Sequence, residues 1–499
     1  MSNAVTIPKK GLAKDDLLET MRGFGENDAD WKAGRTWSLV YYAGEDHYDL
    51  LKEAYTSFMS ANGLNPMAFK SLKRMEAEVV RMTADMLNGD SEVVGTMTSG
   101  GTESILMAVK AARERAGFLK KWPLRPEIVA PRTIHPAFSK AAHYFGAKMR
   151  YIEVDDDFRV RVDELEKAVG PRTMLIAASA PQYPHGMVDP IEEIAQVAKK
   201  NGVPFHVDAC FGGFILPWIE KLGPEKLGCE LPVFDFRVDG VTSMSADAHK
   251  YGYAAKGASV ILYRDMSYLK HQFFVETEFP GGIYISPTMA GTRPGGAIAA
   301  AWAAMRSLGE DGYMELAEGA IDAKNDLLAR IQAMPELEIL GSKHATVVSF
   351  RSKDPQVDTF AIADQLQDHG WALDRLQKPV GLHCTVNAHN GPVIDEFAAD
   401  LEEAIAHVKK HPELSSEGDA AMYGMMAKIP VRSAVKMSVR KVMEEMYGPN
   451  AAEPDLENIG EDEDADFMLQ MVNRYGDRVL DLLDQIDGLR KAIGQVLFR

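Results

Sequence analysis

Cysteine is scarce in this chain: three in 499 residues, at Cys210, Cys229 and Cys384. They form no CxxC pair and leave an odd count, which excludes a disulfide framework and a cysteine-rich metal site and points to a reducing compartment. Positive charge is also short. The 55 Lys and Arg face 73 Asp and Glu, a net charge of −18. That is the wrong balance for a general nucleic-acid binder, although a locally basic pocket can still hold one small anion. Long apolar runs are missing. The most apolar stretches, such as Phe211–Trp218 and Ala258–Tyr263, fall far short of the roughly 20 residues of a membrane span. The N-terminus MSNAVTIPKKGLAKDDLLETMRG lacks the apolar core of a signal peptide, and its mixed charges do not suit a transit peptide. A soluble, cytoplasmic protein with no transmembrane segment is expected. Neither GxGxxG nor GxxxxGK[ST] occurs, so no dinucleotide or ATP site is advertised.

What is present is an alternation. Apolar runs at 93–98, 127–130, 149–154, 173–179, 204–208, 241–244 and 258–263 read as strands. Between several of them lie segments of helical period, at 104–116 and 190–200, with apolar residues near i, i+3, i+4, i+7. Strands apolar on both faces and separated by helices predict an α/β fold with a mostly parallel, seven-stranded sheet covered by helices. The expected organisation is a mainly helical N-terminal segment (1–90), a large α/β domain (91–335), a smaller C-terminal α+β domain (336–450) and a tail (451–499). Leu72, Met75, Val79, Val80, Met82 and Met86 form one amphipathic stripe in the first segment, with Met as gap-filling core. The tail begins with an acidic linker (453–466) and continues as an amphipathic helix.

Three motifs carry chemistry. In Ser245–Tyr253, SADAHKYGY, Lys250 follows one strand and precedes another. Lysine is a poor nucleophile at its ordinary pKa of about 10.4, and desolvation at a sheet edge is expected to lower it toward the range Schiff-base chemistry needs. Alone, it reads equally as an exposed loop lysine. In Phe205–Cys210, FHVDAC, Asp208 ends a buried strand, where a carboxylate is costly without a partner such as a protonated pyridine nitrogen. A turn-capping aspartate is the plainer alternative. In Thr98–Ser104, TSGGTES, glycines and hydroxyls lead into a helix whose N-terminus suits a dianion. Phosphate cradle, acid and lysine on successive strand edges together indicate pyridoxal phosphate.

The arrangement resembles the fold-type I pyridoxal-phosphate enzymes, their group II decarboxylase-like branch, and within it the sphingosine-1-phosphate lyase family in a soluble, bacterial-like form. The resemblance spans residues 40–447. It is carried by TSGGTESILMAVKAARERA (98–116), HVDACFGGF (206–214), FDFRVDGVTSMSADAHKYGYAAKGAS (234–259) and GGIYISPTMAGTRPGG (281–296). It implies a large domain bearing the cofactor, with Lys250 as the Schiff-base lysine, Asp208 on the pyridine nitrogen and His135 stacked on the ring. Gly101, Thr102 and His249 would hold the phosphate. Gly291 and Thr292 match a segment that reaches the cofactor from a partner subunit, which implies a homodimer with shared active sites. Tyr42, Asn62, Tyr183 and Lys256 match positions around the substrate. Where Asn-x-Leu-His-Pro is expected, this chain has Asn62-Gly-Leu-Asn65-Pro, and asparagine cannot carry charge as imidazole does.

The reaction so implied is a carbon–carbon cleavage of a phosphorylated sphingoid base, with phosphoethanolamine and a long-chain aldehyde as products. Tyr183, Lys250 and Lys256 are candidates for the base. The alternatives are an amino-acid decarboxylase of the same branch and a cofactor-binding relative without turnover. His143, His206 and His344 read as locally bonded histidines, His383 and Cys384 as core, and Cys210 as buried filler. His185, at a turn near the site, stays open. No metal site is expected.

Overall fold

In the computed structural model, residues 6–26, 28–117, 125–428 and 432–448 are described. The acidic linker and terminal helix expected after residue 451 therefore lie outside the described residues.

Seven strands form where the apolar runs predict them: β1 (Val94–Thr98), β2 (Glu127–Pro131), β3 (Lys148–Ile152), β4 (Thr173–Ser179), β5 (Phe205–Asp208), β6 (Val241–Ala246) and β7 (Ser259–Tyr263). Their order in the sheet is β1-β7-β6-β5-β4-β2-β3. Only β7 runs antiparallel to its neighbours, β1 and β6. The central strands β4 and β5 are buried at every residue, which is why their sequences run apolar without alternation. Helices cover the faces, as in Ile191–Asn201, which buries Ile194, Val197 and Ala198 and ends at left-handed Gly202.

The N-terminal segment contributes α1 (Lys14–Phe24), α2 (Glu45–Ser57) and α3 (Lys70–Met86). Along α3 the expected stripe is buried, Leu72, Val79 and Val80 most deeply, with Met75, Met82 and Met86 packed at its margin. The stripe also buries Glu76, which pairs with the Arg293 guanidinium. After β7 come a short hairpin, β8 (Phe274–Glu276) with β9 (Tyr284–Ser286), and the long helix Gly295–Ala333, broken at Gly309 by a positive φ.

The C-terminal part holds an antiparallel sheet in the order β10-β11-β13-β12, from β10 (Leu337–Ile339), β11 (Val347–Ser352), β12 (Asp374–Gln377) and β13 (Val380–Thr385). A stretch of the N-terminal segment is joined to this sheet. Trp37 donates its amide to Ala372 O (2.8 Å) and accepts from the Thr385 amide (2.6 Å). Its ring packs between Trp371 and Phe397, aromatic contacts worth about 0.5–1.5 kcal/mol each beyond the area they bury. Residues 38–41 are thereby carried to the edge of the large sheet.

Candidate active site

The loops at the carboxyl ends of β2, β4, β5 and β6 converge on one cavity of about 550 Å³, the end of an α/β sheet where ligands bind. Each loop brings one of the singled-out residues. Asp208, the last residue of β5, is buried and accepts from the Cys210 amide (3.1 Å) and from Ser245 Oγ (3.3 Å). His135 lies after β2 and lines the same cavity. Its Nδ1 accepts from the Ala137 amide (3.2 Å), so the ring proton sits on Nε2, and burial holds its pKa below the ordinary histidine value. Tyr183 comes from the loop after β4, and His249, Lys250 and Lys256 from the connection between β6 and β7.

The electrostatics of the lysines depart from expectation. Lys250 Nζ lies 3.0 Å from Asp247 Oδ2, a carboxylate that is itself buried. Burial pulls the Lys250 pKa down, but the Asp247 charge, with Cys210 and Tyr41, outweighs it and holds the group above its ordinary value. The lowering predicted from desolvation alone is thus corrected: a buried anion three residues away reverses its sign. Lys256 shows the opposite balance. Its Nζ donates to Leu39 O (2.6 Å) and His249 O (3.3 Å), with no carboxylate among these partners. Burial, reinforced by the Lys250 charge, pushes its pKa down to about 8.

Tyr183 donates a hydrogen bond from its phenol O–H to Asp374 of β12, and its ring packs on His383 at 4.2 Å. Burial and the Asp374 charge push its pKa far above the ordinary phenol value, so it holds its proton at neutral pH. His249 Nδ1 accepts from the Ala258 amide (3.3 Å), and burial lowers its pKa.

At the start of helix α4 (Gly101–Arg115) the backbone comes very close to the floor of the site. A Cβ on Gly101 would stand 2.7 Å from Asp247 Oδ2 and 2.8 Å from Cys210 Sγ, so only glycine fits. Thr102 follows it in the first turn. An amine, a buried carboxylate, an imidazole and a helix N-terminus laid bare by glycine are the donor set that pyridoxal phosphate needs, and the residues fit that group.

Other singled-out residues stand apart from this cavity. Asn62 Oδ1 accepts from the Leu64 amide (2.9 Å) and the Arg293 amide (3.3 Å), and its Nδ2 donates to Thr292 Oγ1 (3.4 Å). Gly291 lies beside Tyr284, where a Cβ would meet its hydroxyl at 3.0 Å. Asn65 spends its carbonyl on the Met67 and Ala68 amides (3.0 and 3.2 Å), the work of a turn cap. Tyr42 packs edge-on against Trp31, Tyr48 and His389, and its neighbour Tyr41 lines the cavity instead. None of Asn62, Asn65, Gly291, Thr292 or Tyr42 lines the Lys250 cavity.

The plainer reading agrees with the geometry for His206 and His344, while His143 is exposed beside the Tyr144 ring. His206 is held by Ser243 and Ser245, and His344 accepts from the Val188 amide. His185 stacks on Phe158 at 3.9 Å and does not line the cavity. Cys210 is buried and donates to Ser245 Oγ (3.1 Å). Several wall or partner residues were not singled out from sequence, among them Leu39, Tyr41, Asp247, Asp374 and Thr385. Asp247 had a signal, an acid three residues before the lysine; Asp374 and Thr385 had none. No cluster able to hold a metal ion occurs among the described residues.

Comparison with known proteins places these features in context. Residues 30–353 match the family model for the pyridoxal-dependent decarboxylase conserved domain. The chain is 42% identical to sphingosine-1-phosphate lyase from Arabidopsis thaliana, over 88% of this chain and 81% of that protein. It is likewise 42% identical to sphingosine-1-phosphate lyase 1 of Rattus norvegicus, covering 84% and 73% of the two. A solved sphingosine-1-phosphate lyase from Burkholderia pseudomallei superposes with a TM-score of 0.79 at 36% identity, over 89% of this chain and 97% of that one. Glutamate decarboxylase from Lactobacillus brevis, at 21% identity and a TM-score of 0.71 over 81% and 95%, shares the fold.

Proposed function

The chain belongs to the pyridoxal-dependent decarboxylase family, within its sphingosine-1-phosphate lyases, and from that premise we propose how its own residues serve the reaction. It is a pyridoxal-phosphate enzyme that cleaves a phosphorylated sphingoid base between the amine-bearing and hydroxyl-bearing carbons, yielding a long-chain aldehyde and phosphoethanolamine. Lys250 would hold the cofactor, Asp208 its ring nitrogen, His135 its face, and Gly101, Thr102 and His249 its phosphate. When bound, the group supplies an electron sink for the bond broken at the amine-bearing carbon.

The remaining work falls to this chain. Lys256 offers an ammonium, without an opposing carboxylate among its bonded partners, to the substrate phosphate. Lys250 lies beside Asp247, whose charge would favour its taking a proton whenever its amine is not bonded to the cofactor. It accepts the 3-hydroxyl proton and returns one to the amine-bearing carbon once the aldehyde has left. Tyr183 is a poor base because its proton is committed to Asp374; it acts as a wall and hydrogen-bonding group. Asp208 and His135 fix orientation, which selects the bond that breaks.

We take the working unit to be a homodimer. Supporting this, Asn62, Asn65, Gly291, Thr292 and Tyr42 stand outside the cavity of their own chain, so a second copy can bring them to it. Three unpaired cysteines support a cytoplasmic setting.

The observation that carries the reading is one cavity holding Lys250, Asp208, His135 and His249 together with a second lysine, Lys256. The test is mass spectrometry of products after incubating cofactor-loaded protein with sphingosine 1-phosphate. Phosphoethanolamine and the matching aldehyde are expected. Intact substrate, with carbon dioxide released from an amino acid instead, would replace the lyase reading with decarboxylation.

A further inference from the structure

At Leu39 the chain turns in a conformation that its side chain disfavours. Its φ is +67°, and the Val40 amide donates to Ser38 O at 2.7 Å. Leu39 is thus the middle residue of a three-residue turn with positive φ, the rare and strained form. Glycine carries no such penalty there. Strain of this kind persists where the surroundings impose it and is concentrated at functional sites.

The surroundings do impose it. Trp37, two residues earlier, is anchored to Ala372 and Thr385 by backbone hydrogen bonds, while Tyr41, two residues later, packs edge-on against Tyr251. Leu39 O accepts from Lys256 Nζ at 2.6 Å. A glycine would offer the same carbonyl without strain, so the backbone's task does not explain a leucine. The side chain remains to be explained. Leu39 is 77% exposed, yet it lines the Lys250 cavity. An apolar group is therefore left open to water in the wall of the cavity that holds Lys250 and Lys256.

We propose that Leu39 is a specificity-determining residue, receiving the apolar chain of the substrate where that chain leaves the cavity. The inference rests on the lyase reading above and goes beyond it to the recognition of the tail. In a phosphorylated sphingoid base only three carbons separate the phosphate oxygen from the start of the alkyl chain. A residue whose carbonyl holds the cation meant for the phosphate is therefore beside the beginning of the tail as well. Covering Leu39 with the tail removes apolar surface from water on both partners, which favours long chains over short ones.

The test uses cofactor-loaded wild type, Leu39→Gly, Leu39→Ala and Leu39→Met with phosphorylated sphingoid bases of graded chain length. In the wild type KM should fall as the chain lengthens. In Leu39→Gly and Leu39→Ala the KM for the longest chain should rise about ten-fold with kcat little changed, and Leu39→Met should keep the wild-type profile. Leu39→Gly should also unfold at a higher temperature, because the strain is gone. Calorimetric binding of 3-deoxy analogues, which cannot be cleaved, should show the same dependence on chain length.

An unchanged chain-length profile in Leu39→Gly would overturn the inference and leave Leu39 merely strained. So would a variant altered only in subunit dissociation, which would place a second copy, not the tail, over this residue. Failure of the lyase reading is a separate result: wild type would then turn over no chain length and bind none of the analogues.

Discussion

Lys256 sits where a small change in pH changes its charge. Burial and the Lys250 charge push its pKa down to about 8 from the ordinary lysine value. The ammonium is present below that pH and lost above it, so its grip on a phosphate weakens as pH rises through about 8. KM for the phosphorylated base should climb on that alkaline side, while KM for the dephosphorylated base stays flat. Lys256→Ala should cost about 10- to 100-fold in kcat/KM on the phosphorylated substrate, the worth of one charge-assisted hydrogen bond. Equal losses on both substrates would remove Lys256 from that role, and Lys256→Arg should flatten the alkaline limb. At this scale the sequence was legible where chemistry repeats in a short span. Lys250, Asp208 and the Gly101 turn each carry a local pattern. Asp374 is one of 73 acidic residues and meets Tyr183 only because β12 folds back across 191 positions of the chain.

At the scale of elements, α3 does more than fill the core. Glu76 on its buried face takes the Arg293 guanidinium through both oxygens and also accepts from the Met97 amide (3.3 Å). Arg293 in turn donates to Gly63 O (3.1 Å). One ion pair thus ties α3, β1, the Asn62 turn and the Thr292 segment together. Glu76→Ala would leave Arg293 mostly buried without its anion, at a cost of about 3 kcal/mol. Scanning calorimetry should show a lower unfolding temperature, with KM for the substrate raised because Asn62 and Thr292 lose their brace. An unchanged transition would mean that the pair is spectator packing. The apolar pattern of α3 was readable, whereas the acid within it was not, since a stripe predicts which face is buried and not what a buried acid meets. The inner strands of the large sheet were readable because burial on both faces leaves continuous apolar runs, whereas the edge strand β3 buries only Ile152. β12 was missed for the opposite reason: Asp374-Arg-Leu-Gln377 is an edge strand with one buried residue, Leu376.

For the whole molecule, the proposed homodimer would divide the site residues between the Lys250 cavity of one chain and the Thr292 cluster of the other, and activity would then be a property of two chains. A homodimer built this way predicts complementation. Lys250→Ala and Thr292→Tyr should each be inactive alone. Mixed in equal amounts under conditions that let subunits exchange, they should regain about a quarter of wild-type activity, since half the dimers then hold one intact site. No recovery, with exchange demonstrated, would mean that each chain completes its own site. Among the described residues no helix is long and apolar enough to cross a membrane, in keeping with the apolar runs of the sequence.

The anchoring of Trp37 has a consequence in time. Asn390 Nδ2 donates to Gly34 O across 356 positions of the chain, and Trp37 itself waits for Trp371, Thr385 and Phe397. At roughly 5–20 residues per second of synthesis, the wait is roughly 20–70 seconds. Throughout it a tryptophan meant for full burial has no home, and the Ser38–Tyr41 wall has nothing to hold it in place. The sheet carrying Asp208 and Lys250 can assemble in the meantime, but the cavity gains its last wall only when the final fifth of the chain begins to emerge. Newly made protein would therefore pass through a stage with the catalytic groups in place and their enclosure still open.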